Sequence, residues 1–147
     1  MLDYVGAFAV TTGHGLPELA ARFAEQHDDY GAIMTQALAD RVAEAFAERL
    51  HEVVRKELWG YAKDESFTSA ELVRESYQGI RPAPGYPACP VHAQKEQRFT
   101  LLEAPDRAGM TLTESWAMLP AASVAGWYFW RPDAKYFGVG ERDRPTT

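Results

Sequence analysis

Apolar positions change their period about halfway along the chain. Between residues 28 and 59, Ile33, Met34, Ala37, Leu38, Val42, Ala45, Phe46, Leu50, Val53, Val54 and Leu58 recur at spacings of three and four, the period of one helix face. Asp28 and Asp29 stand at the start, where carboxylates complement the helix dipole; Arg55 and Lys56 stand near the end, and Gly60 follows as a C-cap. At ~1.5 Å per residue the predicted helix is about 45 Å long and forms the backbone of the first half. A shorter helix is predicted over 17–27, where Pro17 suits a first turn behind the Gly-rich Thr11–Gly15. Thr68 with Glu71 three positions on has the capping-box pattern and opens a third helix to about Ser76. Ahead of all three, Tyr4–Val10 reads as a buried strand.

Beyond residue 78 the pattern is one of strands. Gln97–Glu103 and Leu112–Met118 are rich in β-branched and aromatic residues, residues 124–130 form a dense apolar run, and Lys135–Val139 forms another. Residues 105–109 and 131–134 carry turn chemistry. This spacing predicts an antiparallel meander. Helices grouped before strands indicate an α+β fold, with one long helix in the first half and an antiparallel sheet in the second. A core strand opening at residue 4, with only a polar tail over 140–147, leads us to expect that residues 1–147 are one partial domain, a piece of something larger.

Between the halves lies the most unusual segment. Residues 79–90 hold four of the nine prolines, Gly79, Gly85 and the only cysteine, Cys89. Each proline fixes φ and removes a donor, and each residue before one is pushed toward extended geometry. The run is therefore a stiff extended loop presenting one cation, Arg81, and one aromatic, Tyr86. A rigid loop loses little ordering entropy on binding and suits a ligand wall. A Pro-rich connector between the two halves is the other reading of the same residues.

Composition narrows the function classes. The net charge of −6, with no Lys/Arg block, argues against a nucleic-acid interface. No segment approaches the ~18–20 apolar residues of a membrane span, and the first residues lack a secretory pattern. A lone cysteine excludes an internal disulfide and a thiolate-rich zinc site, and fits a reduced cytoplasmic thiol. The four histidines show no metal-ligand spacing, and Gly13-His14-Gly15 lacks the Lys and Ser/Thr of a phosphate loop. Cys89 with His92 three positions on could form a nucleophile–base pair, but Pro90 stiffens the chain between them and no third group orients the base. A structural thiol is the better reading. Glu44 flanks the apolar stripe of the long helix and Glu75 precedes the loop; each is either a solvated surface charge or a partner for a cationic ligand. Tyr136, just after a turn, could line a pocket. No catalytic residue and no metal site are expected.

Taken together, several stretches carry a family resemblance. They are Val5–Thr11, Gln26–Tyr30, Ala37–Arg41, Trp59–Ala62, Tyr77–Pro90, Leu112–Ser115, Gly126–Phe129 and Pro132–Tyr136. Over residues 4–139 the chain resembles the C-terminal activation domain of cobalamin-dependent methionine synthase. The resemblance implies an α+β scaffold that binds S-adenosylmethionine, with Arg81 to Pro87 standing where that family has its RxxxGYP binding motif. It implies that Arg81 engages the methionine carboxylate, with Gly85 and Tyr86 in the same loop. It implies further that Glu44 and Glu75 are acidic site residues, and that Tyr136 is a site tyrosine beside Phe137, where a second tyrosine is usual. Such a domain presents S-adenosylmethionine to a cobalamin module during reductive remethylation, with a flavodoxin-like electron donor. The resemblance also implies that the homocysteine, folate and cobalamin modules, and the N-terminal part of the activation domain with its site aspartate, are not in these residues. An interaction module that docks a cobalamin-binding partner without holding the nucleotide is the alternative.

Overall fold

The computed structural model describes residues 4–138 and 140. Strand β1 (Gly6–Thr11) leads into helices α1 (Leu16–Glu25) and α2 (Asp29–Val53), a π-helical turn (Val54–Leu58) and α3 (Ser69–Val73). The proline-rich loop follows, then α4 (Gln94–Leu102), α5 (Ala104–Ala108), β2 (Thr111–Leu112), β3 (Met118–Leu119) and β4 (Ser123–Tyr128). The predicted long helix, the capping box of Thr68 and Glu71 and the strand near residue 124 are all present. The α+β fold with a helical first half and an antiparallel sheet stands.

The sheet is assembled differently from a meander. β4 returns to β1, pairing Gly6 with Tyr128 and Thr11 with Ser123. Its other edge is taken by the loop: Ile80 N–H donates to Phe129 O at 2.8 Å, Phe129 N–H to Ile80 O at 3.0 Å, and Trp127 N–H to Pro82 O at 3.0 Å. Gly126 makes this closeness possible, because a Cβ there would stand 2.6 Å from Phe8 Cε1 and 2.9 Å from Pro82 O. Both edges of β4 are thus occupied, and residues 135–138, expected to be a strand, form none. Val139 and the tail from residue 141 lie outside the described residues, as do residues 1–3.

Gln97–Glu103 is a second correction: it belongs to helix α4. Gln94, Lys95, Glu96, Gln97 and Arg98 are good helix formers, and the buried set Lys95, Arg98 and Phe99 has helical spacing. Left-handed Glu103 ends the helix and Pro105 opens the next. Leu112–Met118 is a third correction, because it forms a tight hairpin in which only Thr111–Leu112 and Met118–Leu119 pair.

Alternation along the central strands sends side chains to two cores. Phe8, Val10 and Tyr128 pack with Ala47 and Val54 on the α2 side. Ala125 packs with Phe99, Ala104 and Met110 on the α4–α5 side. On α2 the buried face is small: Ala43, Ala47 and His51. Much of the apolar stripe expected to be core is exposed, with Ile33, Leu38, Val42 and Phe46 each about half or more accessible. The alanines let the helix sit close to the sheet, and that contact, rather than side-chain size, decided which face went inward.

Candidate functional site

The loop is held in place from three sides. Its start is zipped to β4 as above. Its tip is a tight turn in which Gly85 N–H donates to Cys89 O and Cys89 N–H to Tyr86 O, both at 2.8 Å. Gly85 has φ +98°, and a Cβ there would meet His92 Cε1 at 2.5 Å, so glycine is required. Its third tether comes from Tyr136, whose hydroxyl accepts from Arg81 N–H at 3.0 Å.

A cavity of about 510 Å³ opens between this loop, α2 and the 136–138 segment. Glu44, Glu75, Arg81, Tyr86, Tyr136 and Phe137 all line it, so residues spread over nearly a hundred positions converge. Gly85 does not; it shapes the turn that presents Tyr86. Glu44 comes from the exposed side of α2. Glu75 follows α3 with φ +54°, a left-handed backbone that a non-glycine residue adopts at a cost of about 1 kcal/mol. The cavity therefore presents one guanidinium, two carboxylates and aromatic surface.

Arg81 is the best-anchored group in it. One terminal nitrogen, Nη1, donates to Tyr77 Oη at 2.7 Å and lies 3.3 Å from His51 Nδ1. The other, Nη2, donates to Glu48 Oε2 at 2.7 Å. No acceptor among the described residues meets Nε–H. Burial works against the Arg81 charge, but Tyr77 and Glu48 outweigh it and raise the pKa. His51 is fully buried, and desolvation, with Arg55 and Arg81 nearby, pushes its pKa down to about 3. Because an arginine only donates, neutral His51 accepts at Nδ1 and carries its proton on Nε2. Burial also lifts Tyr77 to about 12, which keeps it a phenol.

Glu48, His51 and Tyr77, which hold Arg81 at the candidate site, are residues that the sequence reading missed. A signal existed for each. Glu48 lies one helical turn after Glu44 and His51 almost one turn further, while Tyr77 precedes Arg81 by four positions.

The remaining candidates resolve against chemistry. Cys89 is buried and its thiol is pushed up by desolvation; it donates to Gln94 Oε1 at 3.0 Å. His92 accepts from Lys95 Nζ at 2.9 Å rather than pairing with Cys89. Among the described residues no group of three metal-ligating side chains forms. A second cavity, of about 480 Å³, shares Pro82, Ala88 and Phe137 with the first but is walled mainly by Ile80, Trp127, Phe129 and Trp130. Its charged lining, Arg131, Asp133 and Lys135, sits on an exposed turn where Arg131 Nε pairs with Asp133 at 3.4 Å, whereas its neighbour brings a largely buried guanidinium together with two carboxylates and is the better candidate site.

Two comparisons bear on this arrangement. A family model described as "Vitamin B12 dependent methionine synthase, activation domain" matches residues 1–145. A solved structure, "Crystal Structure of the MetH Reactivation Domain bound to AdoHcy", is similar at 62% identity with a TM-score of 0.90. The match covers 92% of this chain and 42% of that one, so the chain spans less than half the length of its solved relative.

Proposed function

The chain belongs to the vitamin B12 dependent methionine synthase activation domain family, and from that premise we propose that its 510 Å³ cavity binds S-adenosylmethionine. The observation that carries the reading is the convergence of Arg81, Glu44, Glu75, Tyr86 and Tyr136 on one cavity. These groups suit the ligand. The free Nε–H edge of a guanidinium suits a carboxylate. Glu44 and Glu75 suit an ammonium and a sulfonium, and the rings of Tyr86, Tyr136 and Phe137 offer further stabilisation of the sulfonium by cation–π attraction. The likeness to a domain that binds the thioether analogue supports the same assignment.

In this reading the domain is a presenter rather than a complete enzyme. It holds the methyl donor for a cobalamin-binding module of methionine synthase while a flavodoxin-like protein supplies the electron for reductive remethylation of cob(II)alamin in methionine biosynthesis. Cobalamin enters only through that partner, and the setting is cytoplasmic. No nucleic acid or membrane is involved; among the described residues no helix is long and apolar enough to cross a membrane.

Calorimetric titration with S-adenosylmethionine tests the proposal. We expect saturable heat that falls by ~1.5–3 kcal/mol in binding free energy for Arg81→Ala, the size of a charge-assisted hydrogen bond. Folded protein that gives no heat would sink it. A second reading, an interaction module that docks the cobalamin-binding partner without the nucleotide, is favoured by the exposed apolar face of α2 at Tyr30, Ile33, Leu38, Val42 and Phe46. Pull-down of a cobalamin module that is indifferent to added S-adenosylmethionine would select it.

A further inference from the structure

Arg81 is already neutralised from within the protein. Its Nη2 donates to Glu48 Oε2 at 2.7 Å, and both side chains are only 18% and 25% exposed. The other Glu48 oxygen is buried with no hydrogen-bond partner among the described residues. Among the described residues that carboxylate therefore has one hydrogen-bond partner, the cation that lines the cavity. The two other groups on the guanidinium, Tyr77 and His51, are neutral. An incoming anion thus meets a compensated ion pair rather than a bare cation, with Glu44 and Glu75 adding two more negative charges to the walls.

We infer that Glu48 is a specificity-determining residue: by holding Arg81 charge-compensated, it makes the cavity select amphoteric nucleosides that bring their own cations and reject plain anions such as nucleoside phosphates. This rests on reading the cavity as the S-adenosylmethionine site. A ligand with one carboxylate, one ammonium and one sulfonium satisfies the Nε–H edge of Arg81 and both wall carboxylates at once. Adenosine monophosphate shares the nucleoside but offers only negative charge, so Glu44, Glu48 and Glu75 all oppose it. Glu48 does not line the cavity; it acts through Arg81.

The test titrates adenosine monophosphate and S-adenosylmethionine into the wild-type chain, Glu48→Gln and the double variant Glu48→Gln/Arg81→Gln, following calorimetry and the Arg81 Nε–H resonance. The isosteric glutamine keeps an acceptor for Nη2 while removing the charge. We expect adenosine monophosphate affinity to rise at least about tenfold in Glu48→Gln, a modest share of one Coulomb partner at this separation. That gain should vanish in the double variant. Equal affinity in wild type and Glu48→Gln, or a gain that survives loss of Arg81, overturns the inference. Should the variant not fold, a wild-type Arg81 resonance that shifts with millimolar adenosine monophosphate overturns it, and one that does not shift supports it. A chain that ignores S-adenosylmethionine defeats the proposed function and this inference with it, whereas a chain that binds S-adenosylmethionine but shows no gain in adenosine monophosphate affinity in Glu48→Gln defeats this inference alone.

Discussion

Tyr77 has two arginines beside it, and the two could hardly be used more differently. Arg55 lies 4.1 Å from the ring centroid and Arg81 5.9 Å. Both depress the pKa of His51 between them. Arg55 is completely buried, and its Nε donates to both oxygens of Glu65, at 2.8 and 2.9 Å. That Glu65 side chain is only 7% exposed. Arg81 is tied at both terminal nitrogens, has no acceptor for its Nε–H among the described residues, and lines the cavity. One polar seam therefore has an end sealed from solvent, where Arg55 Nη1 and Nη2 are buried without a hydrogen-bond partner among the described residues, and an end open to the cavity. Guanidinium chemistry is the same at both. What separates scaffold from site is whether donors are left over where a ligand can reach them.

The largest expected effect comes from breaking the closed end. Arg55→Met leaves the Glu65 carboxylate buried and unpaired, so we expect a stability loss of ~3–5 kcal/mol in urea denaturation, in line with removing one partner of a buried ion pair. Arg81→Lys should shift the loss to the other ledger. A lysine cannot reproduce the fork of donors, so binding of S-adenosylmethionine weakens by about 1.5–3 kcal/mol while the urea midpoint moves little. Comparable stability losses at the two arginines would erase the distinction drawn between the ends.

His51 sharpens the comparison through pH. Its folded-state value of about 3 lies below the ordinary 6.5, so the unfolded chain takes up the proton first. The contribution of neutral His51 is complete above pH 6.5 and is lost as pH falls toward the folded value, by ~1.4 kcal/mol per pH unit in that window. His51→Gln should flatten the wild-type fall in stability between neutral pH and about pH 4. A variant with an unchanged slope would mean that His51 is not held neutral by the seam. The smallest effect belongs to Tyr136→Phe, which removes the acceptor for Arg81 N–H. We expect ~0.5–1.5 kcal/mol less affinity with the fold intact, read by the same calorimetry.

Much of this was legible along the chain. The 25-residue helix α2, the capping box and the stiffness of 79–90 follow from local rules about period, caps and proline. The apolar run over 124–130 was legible as a strand, and in it Tyr128 stacks on Phe8 while the Trp127 ring lies under Arg98 of α4. Residues 97–103 were misread because Phe99, Thr100, Leu101 and Leu102 look β-like one by one, whereas the burial of Arg98 and Phe99 follows a helical spacing. Residues 135–138 form no strand although their pattern is that of one, because pattern alone does not supply a pairing partner.

By itself the sequence determined the long helix, the capping box, the rigid loop and the residue types that could recognise an amphoteric ligand, since these depend on neighbours within a few positions. Tertiary structure alone decided which residues meet. It brought Glu44, Glu75, Arg81 and Tyr136 onto one cavity and placed Glu48 against Arg81. It also turned the alanine face of α2 inward and closed Arg55 while leaving Arg81 open. Such choices depend on long-range packing and on the desolvation of charge, and neither has a local signature in the chain.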